Sequence, residues 1–315
     1  MLNKHGRKSH AILNEEGEYL MELRVLQYFL TVAREQSVSG AAEYLHLTQP
    51  TLSRQLKDLE EELGKQLFIR GNRKITLTDE GMILRKRAEE ILKLVQKTEH
   101  EITLNDKSVA GDIHIGAGET DAIRILAKAT KQLQEKHPKV CINISSGDAT
   151  DVTEDLDKGL IDFGILFEQK DLSKYNYLKI PPKDTWGVLM RKDAPLAQKS
   201  SILPEDLWDK PLIISRQHRE GSALAMWLGK NEAELNIVAT YSLLYNGSIL
   251  VDEGIGYAIT LDKIINTQGS DLCFKPLTPT LQAGLCIVWK KYQKLSKAAE
   301  LFLHTLQNNL IDVKN

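Results

Sequence analysis

Thr48, Gln49, Pro50, Thr51, Ser53, Arg54 and Lys57 crowd into one short run of the stretch AAEYLHLTQPTLSRQLKDLEEELG, residues 41–64. Hydroxyls, a carboxamide, a guanidinium and an ammonium at this spacing break no bonds by themselves. They donate and accept hydrogen bonds, and Gln or Arg can pair with a base edge through two bonds at once. Projected at about 100° per residue, Leu52, Leu56, Leu59 and Leu63 share one stripe, with Pro50, Arg54 and Lys57 opposite and Ser53 on the flank. The cations sit toward the amino-terminal half, and Glu60, Glu61 and Glu62 gather at the far end. A helix that reads a nucleic acid needs this polarity, because its first residues approach bases and phosphates; a solvated helix face shows it too.

Downstream, LFIRGNRKITL reads as two short strands joined by a Gly71-Asn72 turn, with Arg70 and Arg73 flanking the tip. Cations on a narrow hairpin can follow phosphates or enter a minor groove. Other candidate chemistry is thin. IHIGAGETDAIR opens like a dinucleotide fingerprint, Gly116-x-Gly118 after a strand, with Asp148 where a ribose carboxylate would lie, but Asp121 occupies the third glycine position. None of the eight histidines has a metal-ligand spacing, and HREGS at 218–222 lacks the glycines of a nucleophile elbow. No metal, cofactor or catalytic residue is expected, so the chain reads as a binding protein and not an enzyme. Cys141, Cys273 and Cys286 are expected as buried strand thiols, with a Cys273–Cys286 redox pair as the alternative.

These groups need a scaffold. A chain of 315 residues, 42% hydrophobic and 27% charged, has the composition of a folded globular protein of two or three domains. It lacks a run of about 20 apolar residues, and its first twenty residues lack the apolar region of a signal peptide, so a cytoplasmic protein is expected. The net charge of −2 argues neither way about nucleic acid, because placement decides. Leu23, Leu26, Leu30 and Ala33 give one face of a helix over about 22–35. Ser39 can cap a short second helix faced by Ala41, Ala42 and Leu45. Thr48 and Gln49 open a third, with Pro50 in its first turn, and Gly64 stops it. Three helices and a basic hairpin make a winged helix-turn-helix.

The run LQYFLTVAREQSVSGAAEYLHLTQPTLSRQLKDLEEELGKQLFIRGNRKITLTDEG resembles the amino-terminal signature of the LysR-type transcriptional regulators in its paired alanines, Thr-Gln-Pro turn, Ser-Arg, the leucine before Gly64, Leu-Phe and the Leu-Thr-x-x-Gly close. The resemblance implies that Gln49, Pro50, Ser53 and Arg54 meet DNA from the recognition helix, and Arg70 and Arg73 from the wing. Residues 1–20 precede the matching region and are expected to be a disordered arm without function before a DNA-binding domain over 21–80, an upstream reading of the start codon being the alternative.

From Thr78 the chain is strongly helix-forming, and Leu84, Ala88, Ile91, Val95, Thr98 and Ile102 step as a heptad seam. Such a helix could lie on its own domain. The resemblance implies a linker helix over 81–108 that pairs with its twin in a homodimer, extended to a homotetramer, placing two reading helices on two half-sites of promoter DNA.

After NDKSVAGD the period changes. DIHIGA, a helix over about 120–136, VCINISS, a helix through Leu156 and LIDFGIL give a βαβαβ order, hence a parallel sheet covered on both faces. Near Pro181-Pro182 the chain crosses into a second α/β unit, and it returns through AGLCIVWKK to a terminal helix. Residues 109–315 resemble the family's two-lobed α/β effector domain, which shares the fold of periplasmic solute-binding proteins: lobe I over about 109–180 and 283–315, lobe II over about 183–280. Ligands of open α/β sheets bind at the carboxyl ends of strands. The candidates are Gly118, Glu119, Thr120, Ser146, Gly147, Phe167 and Glu168 from the first lobe and Ser215, Arg216 and His218 from the second. Each could equally serve only its loop. Thr120 in a first helical turn, facing Arg216, would suit a carboxylate, and Glu119 an amine, so a small zwitterion is expected ahead of a plain acid; the alternative is that Arg216 only pairs with a neighbouring carboxylate. A solute-binding or dinucleotide-dependent α/β protein is the rival reading of the whole chain.

Overall fold

The computed structural model describes residues 12–13, 19–71, 74–103, 109–168, 172–216 and 222–312. It divides into two compact units, residues 1–102 and 103–315. No helix among the described residues is long and apolar enough to cross a membrane.

The first unit begins with two short strands, β1 (Ile12–Leu13) and β2 (Tyr19–Leu20), paired antiparallel. The arm expected to be disordered therefore carries a ladder at these four residues, of which Ile12 and Tyr19 are strand formers; its other residues, 1–11 and 14–18, lie outside the described ones. Three helices follow, α1 (Leu23–Glu35), α2 (Val38–Tyr44) and α3 (Gln49–Leu63), then a hairpin of β3 (Phe68–Arg70) and β4 (Ile75–Leu77), and the long α4 (Asp79–Thr103). The buried face of α1 centres on Leu26, Phe29 and Val32, and Leu23, Leu30 and Ala33 are only half-buried. Phe29 turns the helix this way, since its ring fills the middle of the core 5.1 Å from that of Phe68. The cap of α2 is Ser37, not Ser39: Gln36 in the left-handed region ends α1, and extended Ser37 accepts from the amide of Gly40 at 3.2 Å. On α3, Leu52, Leu56 and Leu59 are buried, but Leu63 is 38% exposed, because the last turn runs past the core.

The seam expected along α4 divides. Leu84 packs against the core of the first unit and Ala88 is fully buried, whereas Ile91 and Val95 are half-buried and Ile102 is 77% exposed. The last five residues of the expected linker, 104–108, lie outside the described ones.

The second unit is built on a nine-stranded mixed sheet. In chain order it comprises β5 (Gly111–Ala117), α5 (Ile123–Lys136), β6 (Val140–Ser146), α6 (Ala149–Asp157), β7 (Phe163–Phe167), β8 (Tyr175–Arg191), β9 (Leu212–Ser215), α7 (Ala223–Leu228), β10 (Ile237–Tyr241), α8 (Leu244–Asp252), β11 (Tyr257–Leu261), β12 (Leu272–Pro276), β13 (Gln282–Lys290) and α9 (Lys297–Asp312). Strand order is β10-β9-β11-β8-β13-β7-β5-β6, with β12 also on β8. The parallel set β7-β5-β6 stands as expected, but β13 and β8 run antiparallel and make the sheet mixed.

The crossing expected near Pro181-Pro182 is made within a single strand. Strand β8 passes through both lobes, pairing with β13 over Tyr175–Thr185 and with β11 and β12 over Trp186–Arg191. The prolines sit where the β13 register shifts between Ala283 and Leu285, a place where a missing amide breaks no rung. Each lobe is a sheet between helices. In the first, α5 and α9 bury Leu126, Leu133, Phe302 and Leu306 on one face, and α6 buries Val152 and Leu156 on the other. In the second, α7 covers one face with Leu224 and Leu228, and α8 the other with Leu244 and Val251. Of the cysteines only Cys286 is buried; Cys141 is exposed and Cys273 half-buried, because Cys141 lies on edge strand β6, which is covered only in part.

Candidate functional site

The DNA-reading candidates share one exposed surface. Thr48 has extended backbone and caps α3: its hydroxyl lies 2.8 Å from that of Thr51 and accepts from the Thr51 amide, and Pro50 occupies the first turn. Thr48, Gln49, Pro50, Thr51, Arg54 and Lys57 are exposed and Ser53 is half-buried. Gly64, at φ 60°, closes the helix. The cations are tethered one turn on, Arg54 to Asp58 at 3.9 Å and Lys57 to Glu61 at 3.0 Å. The Glu61 hydrogen bond holds the Lys57 ammonium above its usual range. Exposed pairs of this kind are worth little and yield to a phosphate.

In the hairpin the rung opposite Arg70 is Ile75, and the Gly71 amide donates to the Lys74 carbonyl at 3.0 Å. The ladder thus continues one step beyond the turn expected at Gly71-Asn72, because pairing buried Phe68 with Leu77 fixes the register. Asn72 and Arg73 lie outside the described residues.

In the second unit a cavity of about 780 Å³ opens between the lobes. Its wall includes Gly118, Glu119, Thr120, Gly147, Phe167, Glu168 and Ser215, as expected from strand ends. Ser146 and Arg216 are exposed and stand outside that wall, and His218 lies outside the described residues. Ser146 misses because successive strand residues face opposite sides. Arg216 misses because it sits on the turn beyond β9, where its amide donates to the Tyr241 carbonyl. Sequence reasoning overlooked Trp186, Ser222, Tyr241, Ser242 and Thr260, all on the wall. Tyr241 and Ser242 were within reach: they end β10, and the strand-end rule applied to the first lobe would have found them.

The polar groups here are partly committed. Thr120 precedes α5 and is not in its first turn; its hydroxyl donates to Asp184 at 2.5 Å. Burial raises the Asp184 carboxyl above the usual range, and the Thr120 hydroxyl opposes that. Glu119 reaches the other lobe, where its carboxylate accepts from the Leu244 amide at the start of α8. Glu168 pairs with Lys179 at 3.0 Å, and its carboxyl carbon lies 2.7 Å from where a Cβ on Gly284 would stand, so the carboxylate rests over that glycine. Phe167 and Trp186 stack with centroids 6.5 Å apart, and burial pushes the Tyr241 phenol up to about 12, keeping it a donor to the Ile259 carbonyl at 2.9 Å.

The apparent dinucleotide fingerprint has another cause. A Cβ on Gly116 would come 2.8 Å from Ile161, so that glycine serves packing. Asp148 caps α6, accepting from the amides of Thr150 and Asp151. Among the described residues no group of His, Cys, Asp and Glu could hold a metal ion.

Comparison with known proteins agrees with this division. The family model for bacterial regulatory helix-turn-helix proteins of the lysR family matches residues 23–82, and that for the LysR substrate binding domain matches residues 106–310. YvbU of Bacillus subtilis, an HTH-type transcriptional regulator, is 28% identical over 287 residues, 90% of this chain and 97% of its own. The HTH-type transcriptional regulator IlvY of Escherichia coli is 30% identical over 215 residues, 67% of this chain and 72% of its own. Full-length CbnR in complex with its target DNA has the same fold, with a TM-score of 0.71 at 19% identity over 92% of this chain and all of that one. The chain belongs to the LysR family: it is a DNA-binding transcriptional regulator, with a winged helix-turn-helix joined to a two-lobed, effector-responsive substrate-binding domain.

Proposed function

We propose that α3 reads promoter DNA through Thr48, Gln49, Pro50, Thr51, Ser53, Arg54 and Lys57, and that Arg70 and Arg73 follow the phosphates from the wing. The observation that carries this is the division of α3 into a buried leucine face and an exposed face of caps, amide and cations. Two copies join through the free apolar positions of α4, Ile91, Val95 and Ile102, as a homodimer that associates into a homotetramer and presents two reading helices to two half-sites. The protein acts in the cytoplasm, by binding and not by catalysis.

The cavity between the lobes takes a small effector that shifts the population of DNA-bound assemblies. Both signs of charge line it, Glu119 and Glu168 against Lys183, beside the Phe167–Trp186 pair. This supports a zwitterion with an apolar portion ahead of a plain acid; among the described residues Lys183, not Arg216, is the cation on the wall. The test is calorimetry of the pure protein against amino acids and matched carboxylic acids, with DNA footprints taken with and without each compound that binds. Ala223→Trp, which sets a bulky ring in place of a methyl on the cavity wall, is expected to weaken both binding and the footprint change. Binding undiminished in Ala223→Trp would move the effector elsewhere.

A further inference from the structure

Besides the apolar packing that Leu67 and Phe68 share with Leu52, Leu56 and Leu59, one polar side chain of the recognition helix grips the root of the wing. Of the three successive acids that end α3, Glu61 and Glu62 are exposed and Glu60 is half-buried. A single oxygen of Glu60, Oε1, accepts from the amide of Leu67 at 2.7 Å and from that of Phe68 at 3.2 Å, the residue before β3 and its first residue. The same short segment is gripped from the other side: the Thr78 amide donates to the Leu67 carbonyl at 3.0 Å and the Thr78 hydroxyl to the Gln66 carbonyl at 2.8 Å. Leu67 and Phe68 are buried, so without Glu60 their amides would have no water to turn to.

We propose that Glu60 is a positioning residue for DNA binding. Without touching DNA, it fixes the root of the wing to α3, so that Arg70 and the polar face of α3 meet one duplex together. The energetic argument is one of linked contacts. Two contact points on one rigid body bind as a unit, and a wing free to swing must be ordered again at each encounter. The proposal rests on the reading of the wing given above, and the two can fail separately.

The test uses the full chain, with fluorescence anisotropy over a salt series on a duplex selected from a randomised pool by the wild-type protein. Arg70→Ala is expected to weaken binding and to lower the salt slope by about one. Glu60→Ala should weaken it by about ten-fold with a like fall in slope, and Glu60→Gln should stay within about two-fold of wild type, since its amide oxygen still accepts. In Glu60→Ala/Arg70→Ala the losses should not multiply, because both act through the wing. If Arg70→Ala leaves affinity and slope unchanged, the wing reading fails. If Arg70→Ala behaves as expected but the losses multiply, or Glu60→Ala keeps the full slope, or Glu60→Gln is as weak as alanine, the role of Glu60 is overturned. Circular dichroism checks folding. Should Glu60→Ala not fold, Glu60→Asp keeps the charge but withdraws the oxygen by one methylene, and full-strength binding by that variant overturns the proposal as well.

Discussion

The groups proposed to read DNA from α3 come from one uninterrupted run, residues 48–57, whereas the cavity wall gathers residues from Gly118 to Leu285, from strand ends, helix starts and the long β8. The first surface is made by one helix and its cap, so spacing alone determines which groups share a face. The second is made by topology: Glu119 and Glu168 reach one cavity because β5 and β7 pair in parallel, with Ala117 opposite Ile165, so that both strands end at it. Charge follows the same divide. On α3 the Lys57 ammonium is held up by its exposed partner Glu61, while beside the cavity the Asp184 carboxyl is raised by burial.

The largest effects are expected on the contiguous surface, and they separate two roles within it. Gln49 can pair with adenine through two bonds, so Gln49→Ala should cost about 1 to 3 kcal/mol on the preferred site and little on random DNA. Arg54 is proposed to meet phosphate, so Arg54→Ala should weaken binding to all sequences and reduce the salt slope by about one. Titrations on a selected and a scrambled duplex decide it. Equal losses on both for both variants would mean that α3 holds the backbone and reads no base.

How far each region could be read in advance follows from the same contrast. Thr48, Pro50 and Gly64 marked both ends of α3 because caps and stops are local chemistry. The errors nearby were also local ones, Ser39 for Ser37 and a hairpin turn set one step short. In the second unit α8 left no trace in the pattern. Leu244 and Val251 are buried, Tyr245 and Ile249 are exposed, and Gly247 interrupts them, so no apolar stripe of helical period stands out. That glycine has a tertiary reason, since a Cβ there would lie 3.1 Å from the Tyr241 ring. Arg216 seemed well placed only because its distance from the wall depends on how β9 ends, which no spacing reveals.

A middle-sized effect probes the link that topology makes across the cavity. Leu243 caps α8 with no side-chain hydrogen bond of its own, and the acceptor at this end is Glu119 from the other lobe, bonded to the Leu244 amide. Glu119→Ala should therefore destabilise the second unit by about 1 kcal/mol, the usual worth of a cap or of an anion at a helix start. Glu119→Gln should recover part of it through its amide oxygen. All four tryptophans, Trp186, Trp208, Trp227 and Trp289, lie in this unit, so urea unfolding of the full chain followed by tryptophan fluorescence reports on it alone. An unchanged midpoint in Glu119→Ala would mean that solvent serves this helix end as well as the carboxylate does.

The smallest effect belongs to Asp184 and depends on pH. The half-buried carboxyl sits on β8 opposite Ala283, takes the Thr120 hydroxyl, and is raised first by burial and further by Asp121, with Lys263 opposing. A carboxyl raised in the folded state binds its proton more readily there than in the unfolded chain. Its contribution is thus most favourable at low pH and is lost as pH rises from the ordinary aspartate value, about 3.9, through the raised native value. Asp184→Asn keeps an acceptor for Thr120 and removes the buried charge. It should raise the thermal midpoint at pH 7 relative to wild type, and the two proteins should converge near pH 4. The gain should stay below that lost in Glu119→Ala, because water still reaches and screens this site. A variant no more stable at pH 7, or equally stabilised at both pH values, would show that Asp184 carries its charge without strain, and that the cavity edge resembles the exposed face of α3 more closely than its burial implies.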